Sequence, residues 1–313
     1  MMKKIATREA YGEALAELAK INDKVVVLDA DLSKSTKTAS FKEVCKERFI
    51  NVGIAEQNMV ATAAGLAAAG MIPFASSFAI FASGRAFEIV RNSVAYPKLN
   101  VKIAATHAGL TVGEDGATHQ AIEDISIMRS IPNMTVINPA DGVEAKAAIL
   151  KIAEYNGPAY IRLGRSKVPV IFDEDTYEFE IGKGIQLSEG NDVSIIATGI
   201  MVSEALKAKD ILEKENIKAR VINIHTIKPI DEDIIIKAAK ETGAIVTAEE
   251  HSIIGGLGSA VAEVVSEKAP ALMKRIGVND TFGESGDGSE LLAKYGLTAE
   301  DIAKAAREII ANK

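Results

Sequence analysis

The chain has 313 residues, 48% of them apolar and 25% charged, with few aromatics and no tryptophan, a composition that suits a soluble globular protein of about two domains with a core of Ala, Val, Ile and Leu. A net charge of −7 argues against broad binding of nucleic acid or an anionic membrane, which needs a basic patch, but not against a phosphorylated small molecule held by one or two local cations. One cysteine, Cys45, cannot form an internal disulfide, and Lys3-Lys4 is followed by no apolar signal region, so the expected compartment is the cytoplasm.

The spacing predicts a helix over Arg8–Lys20 with Thr7 as its N-cap, then a buried strand, Val25–Asp29, ending in a carboxylate. Phe41–Cys45 reads as an amphipathic helix in which Cys45 is structural. Met59–Ala75, the most apolar stretch, contains Gly65, Gly70 and Pro73. With Glu56 opening a helix to Ala69, it reads as buried helix, turn and strand, and not as a membrane span. Helices are expected over Ala86–Ala95 and over Gly142–Glu154, the latter capped by Asp141. Strands are expected over Val101–Ala105, Thr135–Ile137 and Ala159–Arg162.

Between Arg165 and Asp192 the rhythm breaks, and Pro169, Asp173-Glu174-Asp175, Gly182, Gly184 and Gly190 read as a linker with room for a short strand. A second unit follows: strand Val193–Ala197, helix Val202–Lys214, strand Ala219–Ile222, helix Asp231–Lys240, strand Ala244–Ala248, then helices from Gly258 onward. The expectation is an α/β fold of two domains, each a mostly parallel sheet flanked by helices, over residues 1–168 and 191–313, with a linker over 169–190. Open parallel sheets bind ligands beyond the carboxyl ends of their strands, so the residues just after strands are the candidates.

Three segments there could carry chemistry. Asn51–Met59 places Glu56 at the start of an Ala-rich helix. A carboxylate at a helix N-terminus is favoured by the macrodipole alone, but apolar surroundings also demand a partner for it. The aromatics Phe74, Phe78, Phe81 and Phe87 suit a core, while Phe78 and Phe81 together also offer a stacking face for a heterocycle. Ala105–Gln120 follows a strand and holds His107, Glu114, Asp115 and His119 among glycines. Its spacing fits no common zinc pattern. A loop presenting His and Asp to a polar substrate is the better reading.

Asn51–Met59, Phe74–Arg91 and Ala105–Asp124 together resemble the pyrimidine-binding domain of transketolase. Glu249–Gly258 and Phe282–Gly286 resemble that family's C-terminal domain. The likeness runs in order through almost the whole chain, without the family's N-terminal domain, which binds diphosphate and metal. The chain therefore looks like the C-terminal subunit of a split transketolase.

The resemblance implies roles. Glu56 matches the glutamate that hydrogen-bonds N1′ of the aminopyrimidine of thiamine diphosphate, which lets the 4′ nitrogen take the proton from thiazolium C2. Phe78 and Phe81 match aromatics that pack on the pyrimidine, and Asp31 a carboxylate of the cofactor and interface region. His107, Asp115 and His119 match ligands of sugar hydroxyls, with His107 and His119 placed among the catalytic groups and His119 a candidate for proton transfer. Ser35 and Arg165 match sugar-phosphate ligands. The resemblance further implies Mg²⁺ (or Ca²⁺) held mainly by a partner chain, no metal ligand here, an N-terminal partner subunit, and a dimer of heterodimers acting on sugar phosphates.

Some features depart from the pattern. Ala75 stands where the family often has an aromatic, and Ala55-Glu56-Gln57 is closer to deoxyxylulose-phosphate synthases. Gly286-Asp287-Gly288 only superficially suggests a diphosphate motif, and Gly255-Gly256-Leu257-Gly258 suits structural packing better than a phosphate. Three alternatives remain: a deoxyxylulose-phosphate synthase half, which has no need of His107; a 2-oxoacid dehydrogenase β subunit, against which the paired histidines speak; and a non-catalytic scaffold, in which Glu56 would be free to drift.

Overall fold

The computed structural model describes residues 3–313, so of the expected first domain only Met1 and Met2 lie outside the described residues. The first half runs β1 (Lys4–Ala6), α1 (Thr7–Ile21), β2 (Val25–Asp29), α2 (Ser33–Thr36), α3 (Ala39–Val44), β3 (Phe49–Asn51), α4 (Glu56–Ala68) and β4 (Ile72–Phe78). Next comes a helical stretch from Phe81 to Ala95, wound as π-type turns on either side of α5 (Phe87–Ile89). It continues with β5 (Lys102–Thr106), α6 (Asp124–Ser130), β6 (Thr135–Ile137), α7 (Gly142–Glu154), β7 (Ala159–Arg162) and β8 (Lys167–Pro169). The second half runs β9 (Ile185–Ser188), β10 (Val193–Ala197), α8 (Met201–Glu213), β11 (Ala219–Asn223), β12 (Thr226–Lys228), α9 (Glu232–Thr242), β13 (Ala244–Ser252), α10 (Leu257–Lys268), β14 (Leu272–Val278), α11 (Gly288–Lys294) and α12 (Ala299–Ala311).

The expected α/β architecture is borne out. A seven-stranded sheet has the order β12-β6-β7-β5-β4-β2-β3, and a five-stranded sheet the order β14-β13-β10-β11-β9. Both are parallel except at one edge, where β12 and β9 run antiparallel. Strand alternation explains the layers. In β2, Val25 and Val27 face α1 and α7, packing with Leu15, Leu18, Ile149 and Ile152. Val26 and Leu28 face Met59 and Val60 of α4 and the buried Val90 and Val94. In β10, Ile195 packs with Val202 of α8 and Ile302 of α12, while Ile196 packs with Ile235 of α9 and Val261 of α10.

Four local expectations are corrected. Thr7 is already the first residue of α1, so it is not the cap. Its Oγ1 accepts from Gly164 N at 2.7 Å, and Glu9 instead takes the free Ala6 N–H. The helix expected from Ala86 begins at Phe81. The four-membered phenylalanine cluster divides: Phe74, mid-strand, is fully buried beside Tyr11, while Phe78 lies at the carboxyl end of the same strand. Finally, helices alone do not close the chain from Gly258, because β14 lies between α10 and α11. As an edge strand it is paired only with β13 and carries exposed Lys274 and Arg275, so it lacks the buried apolar run that marks the interior strands. Cys45 is buried at the end of α3, with Arg48 Nε donating to its Sγ at 3.0 Å.

The two halves are joined closely. β12, from the second half, extends the first sheet, and Lys228 Nζ donates to Arg129 O at 2.9 Å and Ile131 O at 2.6 Å. Asp141 caps α7 through Glu144 N and also accepts from Ile171 N and Phe172 N in the connecting segment. Buried Glu144 accepts from Tyr177 Oη at 2.5 Å and Asn223 Nδ2 at 2.8 Å. Among the described residues, no helix is long and apolar enough to cross a membrane.

Candidate active site

Every candidate residue follows the carboxyl end of a parallel strand in the first sheet. Asp31 and Ser35 follow β2, Glu56 follows β3, Phe78 ends β4 with Phe81 just beyond, His107 to His119 follow β5, and Arg165 follows β7. β4 lies between β2 and β5 in this sheet, so the topology gathers residues far apart in sequence along one edge.

Glu56, the first residue of α4, is 1% exposed. Its Oε2 accepts from Arg85 Nη1 at 2.7 Å and its Oε1 from Ser77 Oγ at 3.2 Å. Arg85 also lies over the Phe81 ring, 4.4 Å from its centroid, a cation–π arrangement. The buried carboxylate thus has a partner, which the sequence reading required without naming it.

Phe78 and Phe81 stack with centroids 6.1 Å apart and planes 13° from parallel. His107 stacks on Phe78 at 3.9 Å, and His119 meets Phe78 and Phe81 edge-on at 6.2 and 5.4 Å. These four rings form one cluster. His107 has φ 57°, an uncommon backbone for a non-glycine residue and one found at functional sites. Its Nε2 lies 3.2 Å from Arg8 Nη1 and its Nδ1 2.9 Å from Thr106 Oγ1. A guanidinium only donates, so Nε2 accepts and the ring proton sits on Nδ1. Burial, then the neighbouring Arg8 and Arg165, push its pKa down to about 3, leaving a neutral imidazole.

Arg8 is a residue that the sequence reading passed over. Its Nη1 donates to Ser35 O at 2.9 Å as well as facing His107, and its Nε is buried with no hydrogen-bond partner among the described residues. Its pKa is lowered, chiefly by burial and then by the nearby Arg165. Arg165 donates to Val112 O and, at 2.8 Å, to Glu114 Oε2. Two neighbouring guanidiniums, of which Arg8 lies beside Ser35 and has an idle donor, fit an anionic group. A cation one residue beyond Thr7 in an otherwise ordinary helix start is the signal that could have flagged Arg8.

Asp31 lies apart from the rings in the bonds it makes: it is exposed, has φ 66°, and accepts from Asn51 Nδ2 at 2.9 Å. The turn with Asp31 and the short helix α2 with Ser35 are held by Asp29. This fully buried carboxylate accepts from Leu32 N at 2.6 Å, Thr36 Oγ1 at 2.7 Å and Thr38 Oγ1 at 2.9 Å. Asp115 is exposed at the end of the helical turn Leu110–Asp115. His107, Glu114, Asp115 and His119 form no metal-holding cluster among the described residues.

Two features set aside at the sequence level have structural partners. The N-terminus of α10 is filled by Glu249, whose carboxylate accepts from Leu257 N at 2.7 Å and Gly258 N at 2.8 Å, leaving no room there for a phosphate. Asp287 caps α11 through Ser289 N and Glu290 N.

Similar proteins point one way. The pyrimidine binding domain of transketolase matches residues 3–170 and the transketolase C-terminal domain residues 182–302. A putative transketolase C-terminal section from Methanocaldococcus jannaschii is 58% identical over 299 residues, covering 95% of this chain and 94% of the relative. A 6-deoxy-6-sulfo-D-fructose transketolase subunit from a Clostridium species is 48% identical over 306 residues, covering 98% and 95%. A solved structure described as a split gene transketolase, inactive beta4 tetramer, superposes with a TM-score of 0.92 at 59% identity, covering 98% of this chain and 99% of that one.

Proposed function

The chain belongs to the transketolase family, corresponding to its C-terminal half, and on that premise we propose that it supplies the aminopyrimidine and sugar side of a thiamine diphosphate site shared with an N-terminal partner chain. The assembled enzyme transfers a two-carbon ketol unit from a ketose phosphate, or a ketose bearing another terminal anion, to an aldose phosphate. The observation that carries this reading is Glu56, a carboxylate only 1% exposed, next in space to Ser77 and to the Arg85 that covers Phe81 of the stacked Phe78–Phe81 pair.

The residues present fit the cofactor's heterocycle. Phe78 and Phe81 provide the apolar face, and Glu56 provides the buried carboxylate that would hold a proton at N1′. Thiamine diphosphate, when bound, supplies the nucleophilic carbon that attacks the ketose carbonyl. Arg8 and Arg165 would take the sugar's anionic end, and the idle Arg8 Nε has a donor to offer it. His107, neutral and fixed by Arg8 and Thr106, would present an uncharged ring to the sugar, and His119 would move a proton at a sugar hydroxyl. Mg²⁺ and diphosphate fall to the partner chain, and the expected assembly is a dimer of heterodimers. That a split-gene relative is described as inactive when it forms a beta4 tetramer supports the need for that partner.

The test is ketol transfer from xylulose 5-phosphate to ribose 5-phosphate with both chains, thiamine diphosphate and Mg²⁺. Activity that needs both chains supports the reading. The 6-deoxy-6-sulfo-D-fructose relative makes a sulfonated ketose the second donor to assay. Inactivity of a fully assembled complex with both donors, joined to turnover of pyruvate, would replace the reading with decarboxylating chemistry.

A further inference from the structure

The loop from His107 to Gln120 carries three of the proposed sugar ligands, yet much of what holds it belongs to the second domain. β13 runs four residues past the predicted Ala248, to Ser252, and brings Glu250 beneath the loop, 3% exposed. Glu250 Oε1 accepts from Thr111 N at 2.6 Å. A side chain at Gly109, where φ is +80°, would place its Cβ 2.3 to 2.5 Å from the Glu250 carboxylate, so that glycine exists to admit it. Arg162 donates to Glu250 O at 2.8 Å and to Ala121 O at 3.2 Å while pairing with Asp124 at 2.9 Å. From the other side, Gln120 Nε2 donates to Glu284 O at 2.9 Å, and Ser285 Oγ to Glu114 O at 2.6 Å.

Resting on the transketolase reading, we propose that Glu250 is a positioning residue for ketol transfer: through Thr111 N and Gly109 it sets the loop that presents His107, Asp115 and His119 to the sugar, and this gives the C-terminal domain a part in substrate binding.

The test compares wild type, Glu250→Ala, Glu250→Gln and Gly109→Ala. Amide hydrogen exchange of the full chain is read by peptide, and KM and kcat are read in the complex with the partner chain, cofactor and Mg²⁺. For Glu250→Ala, exchange over residues 107–120 is expected to rise at least tenfold with β10 and β11 unchanged, and KM for the ketose phosphate to rise at least tenfold with a smaller fall in kcat. Glu250→Gln keeps an oxygen for Thr111 N and is expected to stay within about threefold of wild type in both readouts. Loop exchange within twofold of wild type in Glu250→Ala, or an equal rise across both domains, would overturn the proposal. Should Glu250→Ala not fold, Gly109→Ala decides, with the same local signature expected and an unchanged loop counting against it. A wild-type complex with no ketol transfer sinks the functional reading alone, because the exchange measurement needs no turnover.

Discussion

Glu56 and Arg85 form an asymmetric ion pair, 2.7 Å apart, with the carboxylate 1% exposed and the guanidinium 46% exposed. Glu56→Gln keeps a carbonyl oxygen for Arg85 but could not serve in the proposed role of holding a proton at N1′. Ketol transfer should fall by about 10²–10⁴-fold, the range for a lost general acid–base group, while the thermal midpoint stays within a few degrees. Arg85→Ala leaves a buried carboxylate with only Ser77 as a partner. Because Arg85 is half-exposed the cost is modest, about 1–3 kcal/mol, visible as a lower urea midpoint. Equal stability of Arg85→Ala and wild type would show that the pair does not hold Glu56.

Asp29 bonds three donors at once, none of them on the ring cluster. Asp29→Ala removes the acceptor shared by Leu32 N and the Thr36 and Thr38 hydroxyls, leaving those hydroxyls only each other and Leu32 O to donate to. A loss of about 1–3 kcal/mol is expected, together with a raised KM for the ketose phosphate, because Ser35 in α2 is freed with the turn before it. Steady-state kinetics at several donor concentrations separate this from a change in kcat, and an unchanged KM would remove Asp29 from the account of the site.

His107 should stay neutral throughout the working range. Its folded pKa lies near 3, depressed first by burial and then by Arg8 and Arg165, so its ring resonances in NMR should not titrate between pH 5 and 8. Stability carries the same sign: an unfolded histidine titrates near 6.5, so the contribution is complete above that pH and is lost as pH falls toward 3, at about 1.4 kcal/mol per unit. His225 and His251, buried and lowered to about 4, act alike. Glu144, Glu249 and Glu250, raised by burial to about 7, 7 and 6, act oppositely, since the fold keeps protons there that the unfolded chain releases above about 4.5. Three groups against three leave stability nearly flat, from these residues, between about pH 4.5 and 6. A His107 midpoint near 6.5 would show that the ring is not locked against Arg8.

How much of this was legible depends on where each residue's partners lie in the chain. Interior strands such as Val25–Asp29 and Val193–Ala197 are apolar on both faces and could be read directly. The edge strand Leu272–Val278 could not, because its exposed Lys274 and Arg275 break the run. Phe78, Phe81, His107 and His119 were singled out locally and do come together. The residues missed, Arg8, Arg85 and Glu250, act on side chains or backbone 99, 29 and 139 residues away, a relation that only the folded sheet creates.

The edge strand β12 makes one further outcome testable. It leaves the second half of the chain to pair with β6, and its last residue, Lys228, donates to the carbonyls of Arg129 in α6 and Ile131 just after it. Cutting the chain between the halves therefore removes more than a neighbour. Residues 3–181 alone would expose the β6 edge, strip Glu144 of Asn223, and leave Thr111 N without Glu250. An open parallel edge with apolar flanks invites pairing with other chains, so the isolated first half is expected to aggregate, while co-expression with residues 182–313 should rescue a soluble complex. Expression of the two pieces separately and together, followed by size-exclusion chromatography, reads this out. A monomeric, cooperatively folding first half would mean that β12 is a decoration on that sheet, and that the domains are joined by less than the shared strand and the Lys228, Glu144 and Glu250 contacts require.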